Sequence, residues 1–346
     1  MSEHRSCKVN GMKNVLLLGV FLSFNSYGQG SESRASTIKA ERIAESSPLL
    51  VQHLKEIKNE ALKIHDKTLR ASVLSLLGTP RFELARRHQD EAQIRKFLMD
   101  RKLLASSDVA PHEIIPNHTA MPFIAAPASA WFVHHTYPGG LVMHTLTNLR
   151  TSVFLGQNAE HMNHVHVNFD WLRAAPIWHD VAKTLTLEWK PDGSANMSEG
   201  TIAGTGAHHI LGLAEAMMRE LPPDFIVVVA SAHSPADTGE ALNQLIGFLQ
   251  AASIISGKPF QAAGLTEDGS ALAKPAPLES FLHHLSDHDW VLSEVSFKEA
   301  VNALHASFPD LNFWKQDELF SNVGDLRITE AWRSEGTSGV KKLFEK

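Results

Sequence analysis

The sequence of 346 residues contains one cysteine and two tyrosines. With Cys7 alone, an intramolecular disulfide, a cysteine-based zinc cluster and a thiol nucleophile backed by a second cysteine are all excluded, so stability must come from packing. A positive balance is lacking too. Thirty-two Lys and Arg against 38 Asp and Glu leave a formal charge of -6, which gives no general attraction for nucleic-acid phosphates or anionic lipid. Long apolar runs are scarce: beyond the N-terminal ten residues from Val15 to Phe24, none approaches the ~20 that a spanning helix needs. What is abundant is histidine, with 20 residues, so imidazole is the source of special chemistry to look for, through metal ligation or acid-base work.

The N-terminus reads as a charged, apolar, small-residue series: His4, Arg5, Lys8 and Lys13, then "VLLLGVFLSF", then Ser26 and Gly28. That is the plan of a secretory signal peptide, with a cut expected after Gly28 and hence an exported protein, or otherwise a cytoplasmic one. From Glu41 to Leu104, Leu50, Leu54 and Ile57 fall at helical spacing and Gly78 and Pro80 punctuate the pattern, predicting two or three helices. From Ala105 to Trp131 the period is lost and Pro111, Pro116, Pro122 and Pro127 accumulate, as in an irregular loop. From Gly140 to about Ser256 apolar helical patterns alternate with short turns, and "FIVVVASAH", ambiguous by period alone, reads as a buried helix from its neighbours. A Gly, Pro and Ala-rich link then leads to two or three short helices. The fold class is all-α.

The histidines fall in an ordered series. In "HHTYPGGLVMHTLTNLR", His144 lies roughly 200° around the helix from Val142, off the stripe of Val142, Leu146, Leu149 and Val153. In "IWHDVAK" the adjacent His179 and Asp180 offer a nitrogen and a carboxylate that can bridge two ions, and Lys183 follows one turn later, beside any phosphate held there. "GTGAHHILG" brings His208 and His209 to the start of a helix, and His233 ends the apolar run. A lone histidine is usually structural and an i, i+3 pair is usually a solvated face. The series on successive helices supplies enough ligands for two divalent ions.

These motifs, "HHTYPGGLVMHT", "HDVAK", "HHILG" and "SAH", resemble the HD-domain superfamily of metal-dependent phosphohydrolases, in the branch that includes HD-type 3'-to-5' exoribonucleases. The resemblance covers Phe123 to about Ser256. It implies a helical HD-domain bundle over 123–256, between a signal peptide at 1–28 with an N-terminal helical region and loop at 29–122, and a mostly helical extension at 257–346. By the resemblance, His144, His179, Asp180, His209 and His233 are metal ligands, with Asp180 bridging. Lys183 meets the phosphate, and His134, His135, Thr136, Gly139 and Gly140 shape the substrate pocket. The superfamily closes its site with an aspartate on the last core helix, and Ser253 or a neighbour stands where it is expected. Asp237 or Glu240, or water, would then complete the first ion's shell. His288-Asp289 in "SDHDWVL" lacks an apolar approach and a downstream histidine series, and reads as a polar loop or helix start.

The expected activity is hydrolysis of a phosphate ester, nucleotide or related phosphodiester or monoester, by a hydroxide activated by one or two divalent ions of manganese, iron, magnesium or zinc. Asp180 and Lys183 carry the chemistry, and His208, His134 or His135 protonates the leaving oxygen. A small phosphate ester is the expected partner, nucleic acid being disfavoured by the net charge. The competing readings are an HD-type dinuclear iron oxygenase, a relaxase-like nuclease, and a non-catalytic binding module with a degenerate site. The missing aspartate is the best support for the last.

Overall fold

The computed structural model describes residues 26–86, 90–105, 113–130, 133–197 and 199–345. The apolar run and charged residues of the expected signal peptide lie outside the described residues, apart from its last three positions, which begin the first helix. Among the described residues the chain is mostly helical, as its composition and periodicity predict. No helix among them is long and apolar enough to cross a membrane.

The N-terminal region forms α1 (Ser26–Ser46), α2 (Pro48–Leu62), α3 (Lys67–Leu76) and α4 (Glu91–Asp100). Each later start is written in the sequence: Ser47, Asp66 and Asp90 accept the N–H groups of Leu50, Leu69 and Gln93, and Pro48 opens α2 where no N–H is needed. The stripe read from Leu50 and Ile57 is buried, against α5 (Gly140–Asn163), so the N-terminal helices cover the central bundle. Burying each such side chain contributes about 1.5–3 kcal/mol.

The bundle continues through α6 (Phe169–Trp178), α7 (Lys183–Thr186), α8 (Ala207–Met218), α9 (Pro223–Ala230), α10 (Gly239–Ser256) and α11 (Leu278–Asp287). The valine-rich run is helix α9, and it is buried all round, which is why its periodicity carried no direction. Every residue of α8 is buried. Within the central region, where helices were read, Leu187–Trp189 is extended instead. The turn at Pro191–Gly193 folds β1 (Leu187–Trp189) antiparallel onto β2 (Ala195–Met197), and β3 (Thr201–Ile202) pairs with β4 (Thr205–Gly206). The Trp189 indole N–H donates to the Ala125 carbonyl at 3.0 Å and anchors this insert to the loop before α5.

The C-terminal α12 (Trp290–Ser307), α13 (Phe313–Val323) and α14 (Asp325–Lys342) build a second apolar cluster around Phe297, Phe320 and Ile328, which Tyr137 joins from the central region. The chain after 256 is therefore not uniform. Helix α11 packs on α5, α6 and α9, inside the central bundle, while α12 to α14 form the flanking layer.

Candidate metal and phosphoester site

The loop before α5 is shaped by its two glycines. Gly139 has φ of +82°, and a Cβ on Gly140 would lie 1.8 Å from the His135 carbonyl oxygen, so only glycine permits this approach. The turn aims His134 and His135 at His144, with ring centroids 5.2 and 6.1 Å away and 3.3 Å between the two Nδ1 atoms. The Thr136 hydroxyl donates back to the His134 carbonyl at 3.5 Å, so it serves the loop. His135 Nε2 lies 3.7 Å from Asp325 at the start of α14, and Ser296 donates to the other Asp325 oxygen at 2.7 Å.

His179 and Asp180 stand where α6 breaks. Pro176 has no N–H to offer the Leu172 carbonyl one turn back, and the Ser152 hydroxyl donates to that oxygen instead, at 2.7 Å. The helix ends two residues later, and the turn that follows presents both side chains inward. His144 Nε2 lies 3.2 Å from Asp180 Oδ2 and 3.2 Å from Asp287 Oδ1, and His179 Nε2 lies 3.0 Å from that same Asp287 oxygen. Asn148, one turn after His144 on α5, donates to Asp287 Oδ1 at 2.8 Å. His144, His179 and Asp287 make the first ligand group.

The second group faces the other oxygen of Asp180. His208 Nε2 lies 3.6 Å from Asp180 Oδ1, and Asp180, His208 and His233 can hold one ion between them. Asp180 thus presents Oδ2 to one group and Oδ1 to the other, the arrangement of a bridging carboxylate. Lys183 Nζ sits 2.6 Å from Asp180 Oδ2 and is nearly buried, so it is no solvated surface pair.

Charges in the cluster perturb one another. Burial favours neutral imidazole, yet the Asp180 and Asp287 carboxylates raise His179 to about 9. Burial also opposes protonation of His144, but hydrogen bonding to Asp180, Asp287 and Asp289 carries it well above the ordinary imidazole range. Burial would raise Asp180 and Asp287. The His179 charge, joined at Asp180 by Lys183 and at Asp287 by hydrogen bonding from His144, holds both well below the carboxylate range. His179 Nδ1, Asp180 Oδ1 and His208 Nε2 are fully buried without a hydrogen-bonding partner. Buried polar atoms are rarely left so, and imidazole nitrogens with carboxylate oxygens are the donors that manganese, iron and zinc accept. The residues fit divalent cations in both groups.

Three expectations are corrected by this geometry. Where a ligand was expected at His209, the residue that lies with Asp180 and His233 is His208. His209 Nε2 donates to the Ala230 carbonyl at 3.1 Å, its ring stacks on His233, and burial beside His208 and His179 pushes it down to about 3. His208, expected among the acid-base residues, stands 3.6 Å from Asp180 Oδ1 instead. The carboxylate sought near Ser253, with Asp237 or Glu240 as its substitutes, is Asp287 on α11, 34 residues further along. The third concerns the "SDHD" segment: it is the join of α11 and α12, and Asp289 Oδ1 lies 3.3 Å from His144 Nδ1. The helix-start reading holds, but the segment belongs to the site. Also unforeseen were Asn148, Glu199 and His283, whose buried ring lies 5.2 Å from that of His179. The run "FLHHLSDHD" did carry a signal for α11, because His283 and Asp287 are four apart and share one helical face.

The fold and site define a helical bundle whose buried imidazoles and carboxylates converge on two ligand groups. The chain is 30% identical over 213 residues, 61% of its length and 68% of the relative's, to a dihydroneopterin 2',3'-cyclic phosphate phosphodiesterase from Methanocaldococcus jannaschii. It belongs to the family of that phosphodiesterase, a family of phosphohydrolases. No protein-family model matches the chain, and no solved structure matches it significantly.

Proposed function

We propose that this protein is an HD-superfamily, metal-dependent phosphodiesterase that opens a small cyclic or otherwise accessible phosphodiester. The observation that carries this reading is the two-sided contact of Asp180, whose Oδ2 meets His144 and His179, both also paired with Asp287, and whose Oδ1 meets His208, grouped with His233. Asp287 supports an intact site over a degenerate one, since it supplies the carboxylate whose absence favoured a binding module. The kinship with a phosphodiesterase of a 2',3'-cyclic phosphate supports a small substrate over the RNA of the exoribonuclease branch that the motifs resemble, as does the net negative charge. We place the catalytic unit at 123–289, so that it includes α11 and Asp289.

Divalent cations held by the two groups would supply Lewis-acid activation of water and neutralisation of phosphate charge. The chain's own residues do the rest. Lys183, on the Asp180 side, adds a cation next to the non-bridging phosphate oxygens. His134 and His135, before the turn, approach His144 from the α5 side; burial lowers both below the ordinary imidazole range, so each is a neutral ring whose N–H can hydrogen-bond a phosphate oxygen. The buried walls exclude bulk water and strengthen each of these contacts. Export rests on the N-terminal pattern, and N-terminal sequencing of the purified native protein tests it.

The activity is tested by assaying the full chain on bis(p-nitrophenyl) phosphate, 2',3'-cyclic nucleotides, dihydroneopterin 2',3'-cyclic phosphate and a cyclic dinucleotide, with manganese, iron, magnesium or zinc added. Metal-dependent turnover of a small phosphodiester is expected. Turnover of none of them, or activity that appears only with iron and consumes oxygen, would overturn the reading.

A further inference from the structure

The β-insert between α7 and α8 has no place in the ligand set, yet it reaches both histidines of the second group from behind. Glu199, between β2 and β3, places Oε1 2.7 Å from His208 Nδ1 while Oε2 accepts the His208 backbone N–H at 2.5 Å. Its side chain is only 1% exposed. Thr205, on β4, places its hydroxyl 2.9 Å from His233 Nδ1. The approach is tight: a Cβ on Gly206 would meet Glu199 Oε1 at 2.6 Å and His208 Nδ1 at 2.8 Å. In a neutral imidazole one nitrogen carries the proton and the other offers the lone pair; the Glu199 carboxylate can only accept, which favours Nδ1–H on His208, and the Thr205 hydroxyl can accept the same proton from His233.

We propose that the insert 187–206 is a positioning device for the second metal position alone: Glu199 and Thr205 hold the Nδ1–H of His208 and His233 and so turn both Nε2 lone pairs toward that position. The first group is oriented by other parts of the chain. Its histidines come from α5 and the end of α6, and the groups around them, Asn148 and Asp289, lie on α5 and at the α11–α12 join. The inference rests on the two-position reading above. It adds that the two positions are tuned by different parts of the chain, and that the insert sets how much of the second ion is bound at a given metal concentration.

The test is equilibrium dialysis of the full chain against a manganese series, with bound metal read by elemental analysis, for the wild type and for Glu199→Ala, Thr205→Val and Thr205→Ser. Outer-shell partners of metal-binding histidines typically change affinity about 10–100-fold. The expected result is a second ion bound about 10–100-fold more weakly in Glu199→Ala and Thr205→Val, a first ion bound as in wild type, and recovery in Thr205→Ser, which keeps the hydroxyl. In parallel, imidazole nitrogen shifts of metal-free protein should show His208 protonated at Nδ1 in wild type and mixed between tautomers in Glu199→Ala, a readout that a merely structural role would not move. Unchanged affinity for both ions, or equal loss of both, would overturn the inference while leaving the two-position reading standing. A wild type that binds no second ion would overturn that reading and the inference with it.

Discussion

The two ligand groups share Asp180 and differ in almost everything around it. The first is assembled wholly from helices and the turns that end them: His144 from α5, His179 at the break after α6, and Asp287 from the end of α11, with Asn148 and Asp289 beside them. The second draws its histidines from the start of α8 and the end of α9, and both are backed by a small β-insert. Helical packing thus frames one group, and an extended insert, itself packed on the core through Trp189, Ala195 and Ile202, backs the other. This lets one bundle hold a first ion among helices while the second, and the substrate-facing chemistry next to it, is set by a short stretch of chain.

The comparison breaks most completely at the shared residue. Asp180→Ala removes a ligand from both groups at once, and metal content and phosphodiester turnover should both fall to background, as elemental analysis and a steady-state assay will show. Retained metal in that variant would refute the bridging role. Asp287→Ala attacks the first group only. Its cost should exceed the ~100-fold at the upper end of outer-shell effects in affinity for one ion, whereas Asp237→Ala and Glu240→Ala should leave titrations at wild-type values. Lys183→Ala should leave both ions in place and lower kcat by about 100-fold, the size expected when one preorganised cation or donor is lost from a phosphoryl transition state. A change in metal stoichiometry instead would make Lys183 a structural partner of Asp180.

The smallest effect is a control for the bundle itself. Asp170, at the start of α6, accepts the backbone N–H groups of His65 and Asp66 at 2.9 Å, ties the α2–α3 turn to α6, and touches neither ligand group. Although burial opposes it, these hydrogen bonds lower the Asp170 carboxyl below its ordinary value. A carboxyl with a depressed native pKa contributes stability above its unfolded value of about 3.9 and loses it as pH falls through the lower native one. Asp170→Asn should therefore destabilise by about 1–3 kcal/mol near neutral pH, with the gap to wild type closing below about pH 4 in thermal unfolding. Both metal affinities should be unchanged.

What could be read in the sequence tracks how local its cause is. His144, His179 and Asp180 were legible because each lies in a short motif whose spacing is set by one helix or one turn. The alternation of helices from Gly140 to Ser256 was legible because the apolar period and the punctuating glycines and prolines act within a few residues. Asp287 was not, because it reaches His144 and His179 only through the packing of α11 on α5 and α6, across a link whose length carries no address. The choice between His208 and His209 could not be made from adjacency. It depends on the rotation of α8, and on the Ala230 carbonyl from α9 that occupies His209. Glu199 was hidden for a further reason: a single carboxylate in a polar stretch has no pattern, and only the folding of two short hairpins brings it behind His208.

The most direct test of the account is a crystal of the full chain grown with manganese and measured for anomalous scattering at the manganese edge. The account predicts two anomalous peaks flanking Asp180, one bounded by His144, His179 and Asp287 and the other by His208 and His233, with His209 ligating neither. Manganese bound elsewhere, or peaks that leave Asp287 unliganded, would contradict it.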